Sequence, residues 1–153
     1  MEANNQIYLT SDELVCLDPT YRYKASLPEL QIMTQKGREI ILFLNISKVA
    51  RQLEIEPELL CNFIAIKLSC QYGIDKATGN YYFGGKYTSE TVTNSICLLV
   101  KDYILCDNCD KPETMCKTTS TSIKFKCKAC GEKYKKPLEG KIGKLFAKFY
   151  AAV

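Results

Sequence analysis

Two cysteine pairs constrain this chain more than any other feature: Cys106-Asp107-Asn108-Cys109 and Cys127-Lys128-Ala129-Cys130. Their spacing is C-x₂-C, seventeen residues, C-x₂-C, inside the window of a four-cysteine zinc site. Zn²⁺ takes four ligands in a tetrahedron and binds thiolates well. Two cysteines separated by two residues reach one ion from a single tight turn. Two such turns close the site, and the residues between them must run out and back as short strands. Two buried cysteine pairs, or a redox pair, are the alternative; two correctly spaced pairs weigh against it. Because the protein fills all four positions, the zinc is expected to be structural, with no coordination site open to a substrate. Cys116 lies between the pairs and is not expected to be a ligand.

The 153 residues suffice for one ordinary domain, or for a small domain plus a zinc module. With 46% hydrophobic and 25% charged residues, the composition is that of a chain with a real core. No run of eighteen apolar residues is present, so no membrane span is expected. Met1 to Gln6 lacks the basic-then-apolar order of a signal peptide. Nine cysteines would suit a secreted disulfide scaffold. Four of them have metal spacing, however, and Cys16, Cys61, Cys70, Cys97 and Cys116 are scattered, several in apolar runs. A reducing, cytoplasmic location fits better. Histidine is absent, which removes the usual general base and the usual catalytic triads.

Charge is distributed unevenly. Residues 1–100 carry nine Lys/Arg and eleven Asp/Glu, net −2, whereas residues 101–153 carry twelve and six, net +6. A basic terminal module suggests an acidic partner, most often nucleic acid; a solvated lysine-rich surface is the plain alternative. Lys117, Lys124, Lys126, Lys128, Lys133, Lys135 and Lys136 are the candidate RNA contacts.

The hydrophobic pattern predicts an α+β fold: a small antiparallel sheet with helices, then a four-cysteine zinc ribbon and a short terminal helix. Residues 1–20 read as a flexible lead-in, 21–103 as the α–β domain, 104–138 as the ribbon and 139–153 as an amphipathic helix. Leu30 and Ile32, then Ile40, Leu42 and Leu44, read as strands around a turn at Lys36-Gly37-Arg38. The continuous apolar run from Ile40 to Leu44 predicts a strand buried on both faces. Asn45 is placed to cap a helix over 46–54 carrying Val49, Ala50 and Leu53. Pro57 suits the first turn of a second helix, over 57–71, with Leu60, Phe63, Ile64 and Leu68 at helical spacing. Ile74-Asp75 and Tyr81-Tyr82-Phe83 bracket Thr78-Gly79-Asn80 as a hairpin. Thr88 or Ser89 caps a third helix, over 89–102, carrying Val92, Ile96, Leu99 and Tyr103, which delivers the chain to Cys106. Over 141–150, Ile142, Leu145, Phe146 and Phe149 form a stripe with Lys141, Lys144 and Lys148 off it. A membrane or RNA surface could take such a helix; docking on the body, burying Leu145 and Phe149, is the favoured reading.

Gly79 to Lys86 approaches a phosphate-binding loop, but that motif needs Lys directly after its second glycine and then Ser or Thr. Gly85 intervenes, Tyr87 follows Lys86, and the stretch reads as strand and turn. Nucleotide binding by this chain alone is excluded.

An α–β domain of about a hundred residues feeding a four-cysteine ribbon resembles the amino-terminal half of eukaryotic translation initiation factor five, and the related carboxy-terminal core of the initiation factor two beta subunit. The likeness runs from about Asp18 to the end. Asp18-Pro19-Thr20-Tyr21-Arg22-Tyr23-Lys24 is similar to the factor five opening, and the interval from Lys24 to Asn45 aligns without gaps. Lys111-Pro112-Glu113-Thr114 resembles its Pro-Glu-Thr, Cys127 to Gly131 its second knuckle, and Lys144 to Phe149 its last helix. Leu59-Leu60 through Ile74-Asp75, and Gly85-Lys86-Tyr87, are more similar to the beta subunit. The lead-in favours factor five, as does the lack of the long lysine-rich stretches found upstream in eukaryotic beta subunits.

The resemblance implies a monomeric protein of start-codon selection. Its partners would be initiation factor two, through its GTP-binding gamma subunit, the initiator tRNA and the small ribosomal subunit. It also implies a catalytic role in trans for Arg22, the arginine of Tyr-Arg-Tyr-Lys. A guanidinium inserted from a partner can neutralise charge growing on a transferred phosphoryl group with no proton to move. From the residues alone, Arg22 is a surface arginine stacked between Tyr21 and Tyr23, or a phosphate contact. The chain departs from factor five where that family places supporting lysines: Ile40 and Asn62 align there, with Arg38 and Lys67 nearby. It also ends where the family continues into a helical adaptor domain. The competing expectations are a beta-like structural subunit without GTPase activation and a general nucleic-acid-binding ribbon. In none of them is the chain an enzyme with a catalytic site of its own.

Overall fold

The computed structural model describes residues 6–10 and 23–150. Two short strands, β1 (Gln6–Tyr8) and β2 (Lys24–Ser26), form a two-stranded sheet. β1 falls within the stretch read from sequence as a flexible lead-in. Ile7 and Leu9, at alternate positions, are buried, and burial of that apolar pair is what a short half-buried strand requires.

The chain forms two compact units. In the first, which includes residues 24–98, β3 (Leu30–Gln35), β4 (Arg38–Phe43), β5 (Tyr72–Ile74) and β6 (Tyr81–Gly84) make an antiparallel sheet in the order β3-β4-β6-β5. The β3–β4 hairpin closes through Lys36 and Gly37, with φ of 51° and 77°, the two left-handed positions of the tightest hairpin turns. β4 is central, and Ile40, Ile41, Leu42 and Phe43 are all buried, as the apolar run predicts; Leu44, the last residue of that run, lies beyond the strand and is exposed. Phe43 meets Phe83 of β6 with ring centroids 6.2 Å apart.

Helices α1 (Ile46–Leu53) and α2 (Pro57–Leu68) follow β4. α1 buries Ile46, Val49, Ala50 and Leu53. Asn45 does occupy its N-cap position, but its side chain does not cap the helix. Instead Oδ1 accepts from the Glu29 backbone N–H at 2.8 Å and Nδ2 donates to the Leu27 carbonyl at 3.0 Å. The asparagine amide therefore satisfies the turn leading into β3. α2 is apolar around more of its circumference than one stripe: Leu59, Cys61 and Ala65 are buried together with Leu60, Phe63 and Ile64. It stops at Ser69 in the left-handed conformation, before the predicted end. Helix α3 (Ser89–Leu99) is capped by Thr88, whose Oγ1 accepts from the Thr91 N–H at 3.2 Å. The predicted helical continuation to 102 is a π turn, Val100–Ile104, which ends in extended backbone at Leu105.

The second unit includes Tyr8, Leu9, Thr10, Tyr23 and residues 99–150. Its sheet is the antiparallel meander β7 (Thr114–Thr118), β8 (Ser122–Cys127) and β9 (Lys133–Pro137), followed by α4 (Gly140–Tyr150). Within α4, Leu145 and Phe146 are buried, whereas Phe149, expected inside, is only half-buried. The cause is Gly143: a Cβ there would lie 2.9 Å from the Leu138 carbonyl carbon. The bare glycine lets α4 approach that backbone and turns Phe146 inward, where its ring sits 4.5 Å from Tyr103. The α+β class with a terminal four-cysteine ribbon is thus the one read from the sequence.

Candidate metal centre and lysine face

Both cysteine knuckles are the same backbone turn built twice. In the first, the Asp110 N–H donates to the Cys106 carbonyl and the Cys106 N–H to the Lys111 carbonyl, each at 3.0 Å. In the second, Gly131 donates to Cys127 and Cys127 to Glu132, each at 2.9 Å. The fourth residue after the leading cysteine takes positive φ in both, 61° at Asp110 and 79° at Gly131. Glycine adopts that region without strain, and aspartate tolerates it better than most residues.

The turns bring the four sulfurs together, all within 4.8 Å of one another. Cys106 and Cys130 Sγ are 3.7 Å apart, and Cys109 and Cys127 Sγ 3.6 Å. A tetrahedral ion with metal–sulfur bonds near 2.3 Å would set these edges at about 3.8 Å. The donor set and its dimensions therefore fit a metal ion. Cys116, on β7, is not one of the group; burial pushes its thiol up to about 12.

Local polar groups tune the sulfurs. The Asn108 N–H donates to Cys106 Sγ at 3.3 Å, and Asn108 Nδ2 to Cys130 Sγ at 3.6 Å. That side-chain bond, with a backbone N–H from Glu132, draws the exposed Cys130 thiol down to about 6. Desolvation pushes Cys109 up to about 12 and raises Cys106 as well. A cation among the sulfurs would favour the thiolate form that metal ligation needs. Tyr134 braces the first knuckle from β9. Its hydroxyl donates to the Leu105 carbonyl and accepts from the Asp107 N–H, both at 3.3 Å. Its ring stacks on Phe125 at 4.9 Å. Sequence reading missed this residue; the only available signal was an aromatic at alternate spacing in a lysine-rich strand.

The ribbon divides the seven candidate lysines. The register aligns Lys117, Lys124 and Lys135 across three strands, with Met115, Lys126 and Lys133 as the next row on the same face. These five lysines and the exposed Met115 line a groove of about 660 Å³. Lys128 is exposed at the second knuckle, off the strands. Lys136 belongs to the opposite face. Its ammonium contacts the Asp102 carbonyl, pairs with Asp107 at 3.6 Å, and lies 5.6 Å and 5.5 Å from the Tyr103 and Phe125 ring centroids.

Arg22 lies outside the described residues. In the first unit Ile40 is buried in β4, and Asn62 is half-buried on α2. Arg38 is exposed and lines a groove of about 790 Å³ with Lys36, Glu39 and Tyr82. Lys67 is exposed, 5.5 Å over the Phe63 ring. Among the described residues, no helix is long and apolar enough to cross a membrane.

A small helix-backed antiparallel sheet joined to a four-cysteine ribbon defines the class of protein. The chain belongs to the family of the domain found in initiation factors 2B and 5, whose model matches residues 16–133. Among its relatives, eukaryotic translation initiation factor 5 of Caenorhabditis elegans is 30% identical over 133 residues, which is 86% of this chain and 30% of that protein. Factor 5 of Dictyostelium discoideum is 28% identical over 114 residues, 74% of this chain and 28% of the relative. Translation initiation factor 2 subunit beta of Archaeoglobus fulgidus is 26% identical over 123 residues, 80% of this chain and 87% of that protein. The chain thus spans less than a third of the length of these two factor 5 relatives.

Proposed function

We propose that this chain is a translation initiation factor of the factor 5 type. It acts on initiation factor 2, bound with GTP and initiator tRNA on the small ribosomal subunit, and promotes GTP hydrolysis when the start codon is recognised. The observation that carries this reading is the family match over residues 16–133, which takes in Arg22, the α–β unit and all four cysteines. Arg22 supplies the guanidinium in trans. The metal is zinc, held by Cys106, Cys109, Cys127 and Cys130; it supplies a structural cross-link between the knuckles and no catalytic chemistry. Lys117, Lys124, Lys126, Lys133 and Lys135 meet RNA phosphate as one face, and Lys128 extends it at the knuckle. Lys136, though among the candidates, serves the opposite face. Arg38 and Lys67 are cations near in sequence to Ile40 and Asn62, which stand where the family has lysines.

Single-turnover GTP hydrolysis in a reconstituted preinitiation complex tests the reading. A trans arginine is worth on the order of 10³–10⁵ in rate. With Ile40 and Asn62 in place of lysines, the low end is expected. Arg22→Lys should bind normally and lose most of the stimulation, because an ammonium lacks the planar fork. Equal rates for wild type, Arg22→Lys and no added protein would refute the role of Arg22.

The second reading is a beta-like structural subunit that docks on the gamma subunit without stimulating hydrolysis. The Archaeoglobus fulgidus beta subunit, matched over 87% of its length, favours it. Stable, nucleotide-independent assembly with the gamma subunit would select this reading, and transient, GTP-dependent binding the first.

A further inference from the structure

The segment between Thr10 and Tyr23 contains Arg22; Thr10 is fastened to the first knuckle and Tyr23 to Glu113, just beyond it. Thr10 Oγ1 donates to Asp110 Oδ2 at 2.5 Å, and Tyr23 Oη donates to Glu113 Oε1 at 2.8 Å. The Leu9 N–H donates to the Tyr23 carbonyl at 2.9 Å, tying the flanks to each other. Leu9 and Thr10 are buried, at 2% and 8% exposure.

The two acceptors lie beside the cysteine turns. Asp110 directly follows Cys109 and holds the left-handed position that closes the first knuckle. The Glu113 carbonyl accepts from the Lys128 N–H of the second knuckle at 2.9 Å. One carboxylate thus depends on the turn around the first cysteine pair, and the other on the approach of the second pair.

We propose that Asp110 and Glu113 are positioning residues that clamp Thr10 and Tyr23 to the ribbon, so that metal binding fixes these two residues, of which Tyr23 is next to Arg22 in sequence. The metal centre then does more than stabilise a ribbon: it holds Tyr23, the residue that follows Arg22 in the chain, in place. This rests on the proposed roles of Arg22 and of the four cysteines.

Amide hydrogen exchange on the full chain tests the clamp, read at Leu9, with Ile41 in β4 as an internal control for folding. Four proteins are compared: wild type, the double variant Thr10→Val with Tyr23→Phe, Glu113→Ala, and Glu113→Gln, which keeps the Oε1 acceptor. A buried hydrogen bond is worth about 1 kcal/mol net, or roughly five- to tenfold in local opening. The double variant and Glu113→Ala should exchange faster at Leu9 by roughly that factor, with Ile41 unchanged and one zinc per chain retained. Glu113→Gln should stay near wild type. Chelating the metal from wild type should speed Leu9 exchange at least as much. Unchanged Leu9 exchange in the double variant or after chelation would overturn the clamp. Where Arg22→Lys lowers GTP hydrolysis, the double variant should lower the rate with binding retained; an unaffected rate would overturn the positioning role. Should Arg22→Lys itself be silent, the catalytic reading of Arg22 falls, and the exchange data still decide the clamp.

Discussion

Gly143 is a position where two effects of similar size oppose each other. Replacing glycine by alanine inside a helix gains about 1 kcal/mol in propensity. Here the new Cβ would meet the Leu138 carbonyl carbon at 2.9 Å. That clash is with backbone and cannot be relieved by a rotamer change, and overpacking of this kind costs about 1–3 kcal/mol. Gly143→Ala should therefore lower the thermal stability of the second unit. A control at Ala147, half-buried and in the same helix, separates crowding from helix propensity: Ala147→Gly loses propensity and one half-buried methyl, with no clash involved. Equal or raised stability in Gly143→Ala would mean that Leu138 yields. The sequence placed an apolar stripe on this helix correctly but put Phe149 inside, because helical spacing weighs side-chain character and takes no account of close approach at a glycine. Asn45 was misread for a related reason. A residue at an N-cap position is a capping candidate by local rules, and only the tertiary position of Leu27 and Glu29 shows that its amide is used elsewhere.

At the scale of the strand and the ribbon, the lysine rows carry an internal conflict. Like charges directly opposite one another across strands are destabilising, and Lys124 has Lys117 on one side and Lys135 on the other. A phosphate backbone laid over the face would relieve that repulsion and release counterions. Lys124→Gln should therefore raise the melting temperature slightly while weakening RNA binding. Its log–log salt slope should be shallower than wild type by about 1 for each phosphate that is no longer neutralised. Lys136→Gln should do the reverse, lowering stability and leaving the salt slope unchanged, because its ammonium engages Asp102, Asp107 and two rings of its own unit. Filter binding across a salt series, with melting curves on the same proteins, checks both. Parallel behaviour of the two variants would dissolve the distinction between the faces. The cysteine site was legible from spacing alone, because the knuckle is a local turn and a C-x₂-C pair sets its own geometry. The sorting of the lysines was not. All seven lie within twenty residues of chain, and which of them share a face depends on strand register and on where β7, β8 and β9 begin.

For the whole molecule, the decisive question is whether the two units depend equally on the metal. The first holds its own core, with Ile41, Phe43, Leu59, Leu60, Phe63, Ile64, Phe83 and Ile96 at 0% exposure. No cysteine of the metal group lies in it. The second buries Ile123, Phe125, Cys127, Leu145 and Phe146, but its knuckles are closed by few backbone bonds, and two of its four clustered cysteines are only partly buried or exposed. Structural zinc contributes about 10–16 kcal/mol of apparent binding free energy in small modules, comparable to or larger than the entire stability of an ordinary domain. On the proposed zinc site, removing the metal should therefore cost the second unit its fold and leave the first intact. Cys106→Ser, or chelation of wild type, should raise amide exchange throughout β7, β8 and β9 while β4 stays protected, and Cys116→Ser should retain one zinc per chain. A single cooperative collapse that exposes β4 along with the ribbon would show that the first core is insufficient alone. Unchanged protection of the ribbon after complete metal removal would show that Phe125, Tyr134 and Phe146 hold it without help.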